Sequence, residues 1–306
     1  MRSIPHDLYP FDGNTLDLGG YRMHYLDEGS GSPVLCVHGN PTWSFFYRDL
    51  VLNLRDRHRV VVPDHVGCGL SDAPDDDVYE YTLAQRIDDL ETLVERLELG
   101  PLDLVVHDWG GAIGMGWAAR RPDMVRRLVI LNTAAFHLPA GKAMPWQLSI
   151  VRDTGLGAVM VRGLNAFARG ATHMACTRRT LPKAVRNAYC APYDSWQRRI
   201  ATLRFVQDIP LQPSDRAYAT ISETQAALPR FADRPILICW GLRDFVFDSH
   251  FLAQWRMIYP DAEVHEYADC GHYILEDAGD EIIPLISRFL ADESTPEHID
   301  DGKTTP

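Results

Sequence analysis

The sequence lacks the marks of several large functional classes. No apolar run reaches the ~18 residues that a membrane-spanning helix needs. The N-terminal Met1-Arg2-Ser3-Ile4-Pro5-His6-Asp7 has no continuous apolar stretch of the kind a secretory signal carries. None of the six cysteines, Cys36, Cys68, Cys176, Cys190, Cys239 and Cys270, belongs to a Cys-x-x-Cys pair. Cys36 and Cys239 fall inside apolar, strand-like runs and read as buried reduced thiols. A cytoplasmic protein is the resulting expectation.

Other absences concern cofactors. His265-Glu266 has no histidine at metalloprotease spacing, and the 12 histidines form no Cys/His cluster, so no metal is expected. Gly67-Cys68-Gly69 lacks the third glycine and the helix of a dinucleotide-binding turn, so no nucleotide cofactor is expected. Basic excess is also missing. The 30 Lys and Arg residues against 42 Asp and Glu leave a net charge of −12, which disfavours nucleic acid as a partner. There is no internal repeat and no low-complexity block.

What remains is the ordinary mix of a soluble enzyme, 306 residues with 46% hydrophobic and 24% charged. Short β-rich apolar runs lie at residues 33–38, 59–63, 102–107, 127–132, 235–240 and 263–267. They alternate with helical patterns, which predicts an α/β fold with a mostly parallel sheet covered on both faces. Thr82 and Gln85 read as a capping box opening a helix whose apolar face is Leu83, Ile87, Leu90, Val94 and Leu97, with Gly100 ending it. A second helix runs from about Gly110 to Arg121 and is stopped by Pro122.

Residues 138–228 break the alternation. They carry Trp146, Phe167, Tyr189, Tyr193, Trp196 and Phe205 with helical patterning and no clear strand. No ordinary connection is that long, so the stretch is expected to form a helical cap over a core made of residues 1–137 and 229–291. The polar residues 292–306 are expected to be a disordered tail.

The chemistry centres on Val106-His107-Asp108-Trp109-Gly110-Gly111. A strand ending at His107 and a helix opening with two glycines enclose Asp108 in a sharp turn, where α/β-hydrolases hold their nucleophile. An aspartate there also has a plainer reading, as the N-cap of the following helix. The rest of the chain favours the nucleophile. His38-Gly39-Asn40-Pro41 follows the first strong strand, where the fold takes one oxyanion N–H, and Trp109 follows the nucleophile, where it takes the other. Asp244 follows a later strand, and His272 follows Gly271 after the last one. The order Asp108, Asp244, His272 is the nucleophile, acid, histidine order of the fold. A carboxylate is already ionised at neutral pH, so His272 is free to act as a general base on water, oriented by Asp244.

The segments His38-Gly39-Asn40-Pro41-Thr42, Pro63-Asp64-His65-Val66-Gly67-Cys68-Gly69-Leu70-Ser71-Asp72 and Val106-His107-Asp108-Trp109-Gly110-Gly111 resemble the haloalkane dehalogenases from about Tyr25 to Leu290. The resemblance implies that Asn40 and Trp109 donate hydrogen bonds to a departing halide, and that an alkyl ester on Asp108 is then hydrolysed to an alcohol. Some members carry the triad acid at the strand end occupied here by Asn132. An amide cannot serve, so the acid falls to Asp244 and the resemblance points to the third subfamily.

Within that subfamily, Met144-Pro145-Trp146-Gln147, Ala191-Pro192-Tyr193-Asp194-Ser195-Trp196 and Phe205-Val206-Gln207-Asp208-Ile209-Pro210-Leu211 look like those of the β-lactone decarboxylases of long-chain olefin synthesis. Those enzymes convert a cis-β-lactone to an alkene and CO₂. The resemblance therefore implies a small apolar substrate, an alkyl halide or an alkyl β-lactone, with dehalogenation as the formal activity and decarboxylation as the alternative. It further implies self-association, or association with other enzymes of olefin synthesis.

Two other readings remain open on sequence. Epoxide hydrolases share the aspartate and tryptophan but use lid tyrosines, for which Tyr189, Tyr193 and Tyr218 are available. A ligand receptor on a hydrolase scaffold would not need the three catalytic residues together.

Overall fold

A computed structural model describes residues 4–291. The tail expected at residues 292–306 lies outside the described residues. Eight strands form one sheet: β1 (Asn14–Asp17), β2 (Arg22–Glu28), β3 (Ser32–Val37), β4 (His58–Pro63), β5 (Leu102–Asp108), β6 (Val125–Thr133), β7 (Ile236–Gly241) and β8 (Glu263–Tyr267). Their order is β1-β2-β4-β3-β5-β6-β7-β8. Strands β3 to β8 pair in parallel, and β1 and β2 pair antiparallel at one edge.

The helices are α1 (Arg48–Leu54), α2 (Leu83–Arg96), α3 (Trp109–Arg120), α4 (Trp146–Asp153), α5 (Gly155–Ala158), α6 (Ala166–Met174), α7 (Lys183–Cys190), α8 (Ile200–Gln207), α9 (Tyr218–Ala227), α10 (Ser249–Ile258) and α11 (Ile274–Ala291). Six of them, α4 to α9, lie between β6 and β7. The last of these six packs against α3, where a Cβ on Gly116 would touch Thr224.

Alternation along the central strands builds two cores. Leu104, Val106, Leu128 and Ile130 pack with α2, α3 and α10 residues such as Ile87, Ile113 and Trp255. Their neighbours Val105, Val129 and Leu131 face the other way and pack with Leu50, Ile282 and Ile286 of α1 and α11. All seven residues of β5 are buried, as a parallel strand covered on both faces requires.

The structure corrects several local expectations. The β1–β2 hairpin was not expected from the sequence; its signal is Gly19-Gly20, both with positive φ, in the turn that joins the two strands. The capping box at α2 is only half formed. Thr82 accepts from the Gln85 N–H, but the Gln85 side chain donates to Asp89 and does not return to Thr82, and the next N–H, that of Leu83, is met by Asp208 of the distant α8 terminus. Helix α2 ends at Arg96, and Glu98, not Gly100, takes the left-handed position after it.

Candidate active site

Asp108 ends β5 and precedes the first turn of α3 with φ 52° and ψ −130°, a backbone conformation uncommon for a residue with a side chain. The turn persists because its surroundings leave no alternative. Gly110 lies so close to the Val37 carbonyl that a Cβ there would overlap it, and Thr133 Oγ1 donates to the Asp108 carbonyl. Asp108 makes no side-chain cap to α3. Its Oδ1 instead accepts the Asn40 backbone N–H at 2.5 Å, so the helix-cap reading of this residue fails.

The loop that delivers Asn40 is braced from behind by two buried histidines. His38 Nδ1 contacts the Gly39 carbonyl at 2.8 Å and its Nε2 accepts the His65 N–H at 3.1 Å, while His65 Nε2 contacts the His38 carbonyl at 2.8 Å. Burial holds both rings below the usual histidine pKa, which suits these fixed neutral roles.

His272 reaches Asp108 from the loop before α11. Its Nε2 lies 3.4 Å from Asp108 Oδ2, and its Nδ1 lies 2.7 Å from Asp244 Oδ2. The other Asp244 oxygen accepts the Val246 and Phe247 N–H groups at 2.8 and 3.1 Å. Burial opposes a charge on His272, but the facing carboxylates of Asp244 and Asp108 outweigh it and raise its pKa to about 10. Burial opposes the charge on Asp108 too, yet the His272 ring and the Asn40 N–H hold its pKa below the usual carboxylate value. Both shifts act in one direction, favouring a proton on His272 and a negative charge on Asp108.

Sequence reasoning missed the part that three residues play here. Asn132 is not a bystander at the strand end: its Nδ2 donates to Asp244 Oδ2 at 3.1 Å, and its amide is locked by two hydrogen bonds to the Gly241 backbone. His107 Nε2 contacts the His272 carbonyl at 2.9 Å and its ring stacks on Phe46, bracing the His272 backbone from below. Phe247 stacks on the His272 ring at 5.7 Å. The Gly271-His272 loop and the strand-end polar residues are readable in the sequence, but the side-chain pairings between them are not.

Asp108, His272, Asn40 and Trp109 meet at the floor of a cavity of about 450 Å³ whose walls include Leu148, Val161, Phe167, Val206, Ile209 and Phe247. Asn40 brings its backbone to Asp108, while its side-chain Nδ2 also donates to the Thr202 carbonyl at 3.1 Å. Trp109 packs on Phe205, and its ring N–H has no hydrogen-bond partner among the described residues. No tyrosine lines the cavity. Tyr189 hydrogen-bonds Glu276 at 2.5 Å, Tyr193 donates to the Thr42 carbonyl at 3.2 Å, and Tyr218 packs on His137. The lid tyrosines that an epoxide hydrolase would need thus point elsewhere. Among the described residues no group of three or more His, Cys, Asp or Glu side chains is arranged to hold a metal ion, and no helix is long and apolar enough to cross a membrane.

The model of the α/β-hydrolase fold family matches residues 32–279. The chain belongs to that family. It is 57% identical over 94% of its length to a cis-3-alkyl-4-alkyloxetan-2-one decarboxylase of Shewanella oneidensis, of which it covers 91%. A protein of the same name from Xanthomonas campestris pv. campestris is 51% identical, over 92% of this chain and 97% of that one. Haloalkane dehalogenase 2 of Mycobacterium tuberculosis is 33% identical, over 92% and 96%. Among solved structures, the haloalkane dehalogenase DbeA of Bradyrhizobium elkani superposes with a TM-score of 0.81 at 27% identity, over 92% of this chain and 98% of that one. This α/β-hydrolase is thus an enzyme whose relatives include both the decarboxylases and the dehalogenases that the motifs resembled.

Proposed function

We propose that this α/β-hydrolase is a cis-3-alkyl-4-alkyloxetan-2-one decarboxylase, with haloalkane dehalogenation as a second reading. The ordering reverses the expectation drawn from the motifs. What carries it is the step from 57% identity with a decarboxylase to 33% with a dehalogenase, on a catalytic floor that serves either reaction.

In this reading the Asp108 carboxylate attacks the ring carbon that bears the ring oxygen. That C–O bond breaks, the oxygen departs as part of a carboxylate, and an alkyl ester forms on Asp108. The new carboxylate then leaves as CO₂. The electrons of its C–C bond form the alkene, and Asp108 departs with the ester electron pair. No water is consumed. Inversion at the attacked carbon followed by anti departure gives the cis alkene from the cis ring.

The residues fit named roles. The Asn40 N–H fixes the attacking carboxylate, the Trp109 ring N–H receives the displaced anion, and the His272 imidazolium makes Asp108 a better leaving group. Asp244 keeps that imidazolium charged and oriented. For an alkyl halide the first step is the same, and the ester must wait for water activated by His272.

Incubation with a cis-3,4-dialkyl β-lactone, followed by gas chromatography, tests the proposal. A cis alkene with equimolar CO₂ supports it. Recovery of the lactone, or of the β-hydroxy acid alone, overturns it.

A further inference from the structure

The mouth of the cavity is apolar and open. Trp146, Leu156, Met160 and Met174 line it and are themselves exposed, Trp146 by 68% and Leu156 by 62%. From there the apolar surface continues outward along one short helical stretch. Helix α5 runs on through a π-helical turn at Val159–Gly163, and Val159 and Leu164 are 53% and 63% exposed. Gly163 brings this stretch against Trp196, which is half exposed.

Arginines outnumber the carboxylates around this apolar surface: Asp75 and Asp76 act on Arg162, and Asp194 acts on Arg199, through space and not in contact. The Arg162 guanidinium lies 4.7 Å over the Trp196 ring, and Arg199 donates to the Arg162 and Gly163 carbonyls. Arg169 is exposed on the next helix. None of the three has a carboxylate oxygen within 4.0 Å among the described residues. Partial burial and the neighbouring Arg169 charge disfavour the charged form of Arg199 and outweigh the favourable pull of Asp194. The imbalance is regional. Residues 138–228 carry 12 Lys and Arg against 5 Asp and Glu, a net +7, in a chain whose total is −12, so the remainder is −19.

We propose that this face, formed by Leu156, Val159, Leu164 and Trp196 with Arg162, Arg169 and Arg199, docks on an anionic phospholipid surface and admits the substrate from the acyl-chain layer. A neutral molecule with two alkyl chains dissolves in that layer rather than in water. Tryptophan and guanidinium groups suit the interface, where the ring rests at headgroup depth and the cation pairs with phosphate. The strongly acidic remainder is repelled by the same surface, so the molecule approaches mouth first. The docking proposal rests on the β-lactone reading of the cavity.

Flotation of the purified protein with vesicles tests it, using phosphatidylcholine alone and phosphatidylcholine mixed with phosphatidylglycerol. Recovery with the mixed vesicles only, falling as salt is raised, is expected. Arg169→Glu should weaken that recovery on the order of tenfold. Val159→Ser combined with Leu164→Ser should also weaken it. Neither variant touches the catalytic floor, so both should melt like the parent and turn over a short, water-soluble β-lactone at its rate when no vesicles are present. Equal recovery with both vesicle types, or undiminished binding by the variants, overturns docking. So does a change of oligomeric state in the Ser variants without change in flotation, which marks the face as a contact between copies. Vesicle binding by a protein inactive on every β-lactone would leave docking standing and remove the reaction assigned to the cavity.

Discussion

Asn132 Nδ2 donates to the same Asp244 oxygen that holds the His272 ring, at 3.1 Å beside the 2.7 Å contact of the histidine. The end of β6 and the loop after β7 thus converge on one point. A carboxylate supplied from either strand end is within reach of orienting the His272 ring.

That convergence predicts a transplant. Asp244→Asn should lower kcat on the order of 10³- to 10⁴-fold, because His272 loses its charge partner. Adding Asn132→Glu, whose side chain is one methylene longer, should restore on the order of tenfold of that loss. Steady-state kinetics of the single and double variants check this. No gain in the double variant would show that β6 cannot reach the ring.

Gly39 leaves room for the Asp108 carboxylate by having no side chain. A Cβ there would overlap Asp108 Oδ1 and approach the Trp109 nitrogen. Gly39→Ala should therefore displace the carboxylate and reduce kcat/KM on the order of 10²-fold, at a stability cost of roughly 1–3 kcal/mol. A melt alongside the kinetics separates the two effects.

The raised pKa of His272 links stability to pH. The folded state favours its protonated form relative to the ordinary value of 6.5, up to about 10. Its stabilising contribution is complete below pH 6.5 and is lost as pH rises toward about 10. The wild-type melting temperature should fall across that window, and His272→Gln should flatten the fall. The same cation serves alkene formation from the ester on Asp108, so turnover of a β-lactone limited by that step should fall as pH rises through that window. Halide release limited by ester hydrolysis should rise with pH, since alkylated Asp108 no longer opposes loss of the His272 proton.

The buried tyrosines provide a contrast. Tyr189→Phe removes a hydrogen bond to Glu276, which also pairs with Arg48, and should cost about 1–2 kcal/mol of stability. Turnover by Tyr189→Phe and Tyr193→Phe should stay within about threefold of the parent, because neither side chain lines the cavity. A large loss of turnover in folded protein would revive an acid role for the lid tyrosines.

The legible parts of the sequence were those with a local cause. Strands β3 to β8 were expected within two residues at each end, because continuous apolar runs such as Val34–Val37 and Leu104–Val106 have one use in a covered sheet. The sharp turn at Asp108 follows from Gly110 and Gly111. Chain order was enough to bring Asp244, His272 and Asp108 into one site. The illegible parts depend on distant partners. The Leu83 N–H is met by Asp208, 125 positions away, and Asn132 works through Asp244, 112 positions away. The β1–β2 hairpin mixes polar and apolar residues at a sheet edge, where one exposed face weakens the pattern. The floor of the site could not rank halide against lactone, because both reactions begin with the same attack.

The most direct measurement compares kcat/KM for a cis-3,4-dialkyl β-lactone and a 1-bromoalkane of matched chain length, on one preparation, with Asp108→Asn as control. Alkene formation should exceed halide release on the order of 10²-fold or more, and both should vanish in the control. Halide release equal to or faster than alkene formation would contradict the decarboxylase assignment, and alkene formation surviving in Asp108→Asn would contradict the nucleophile.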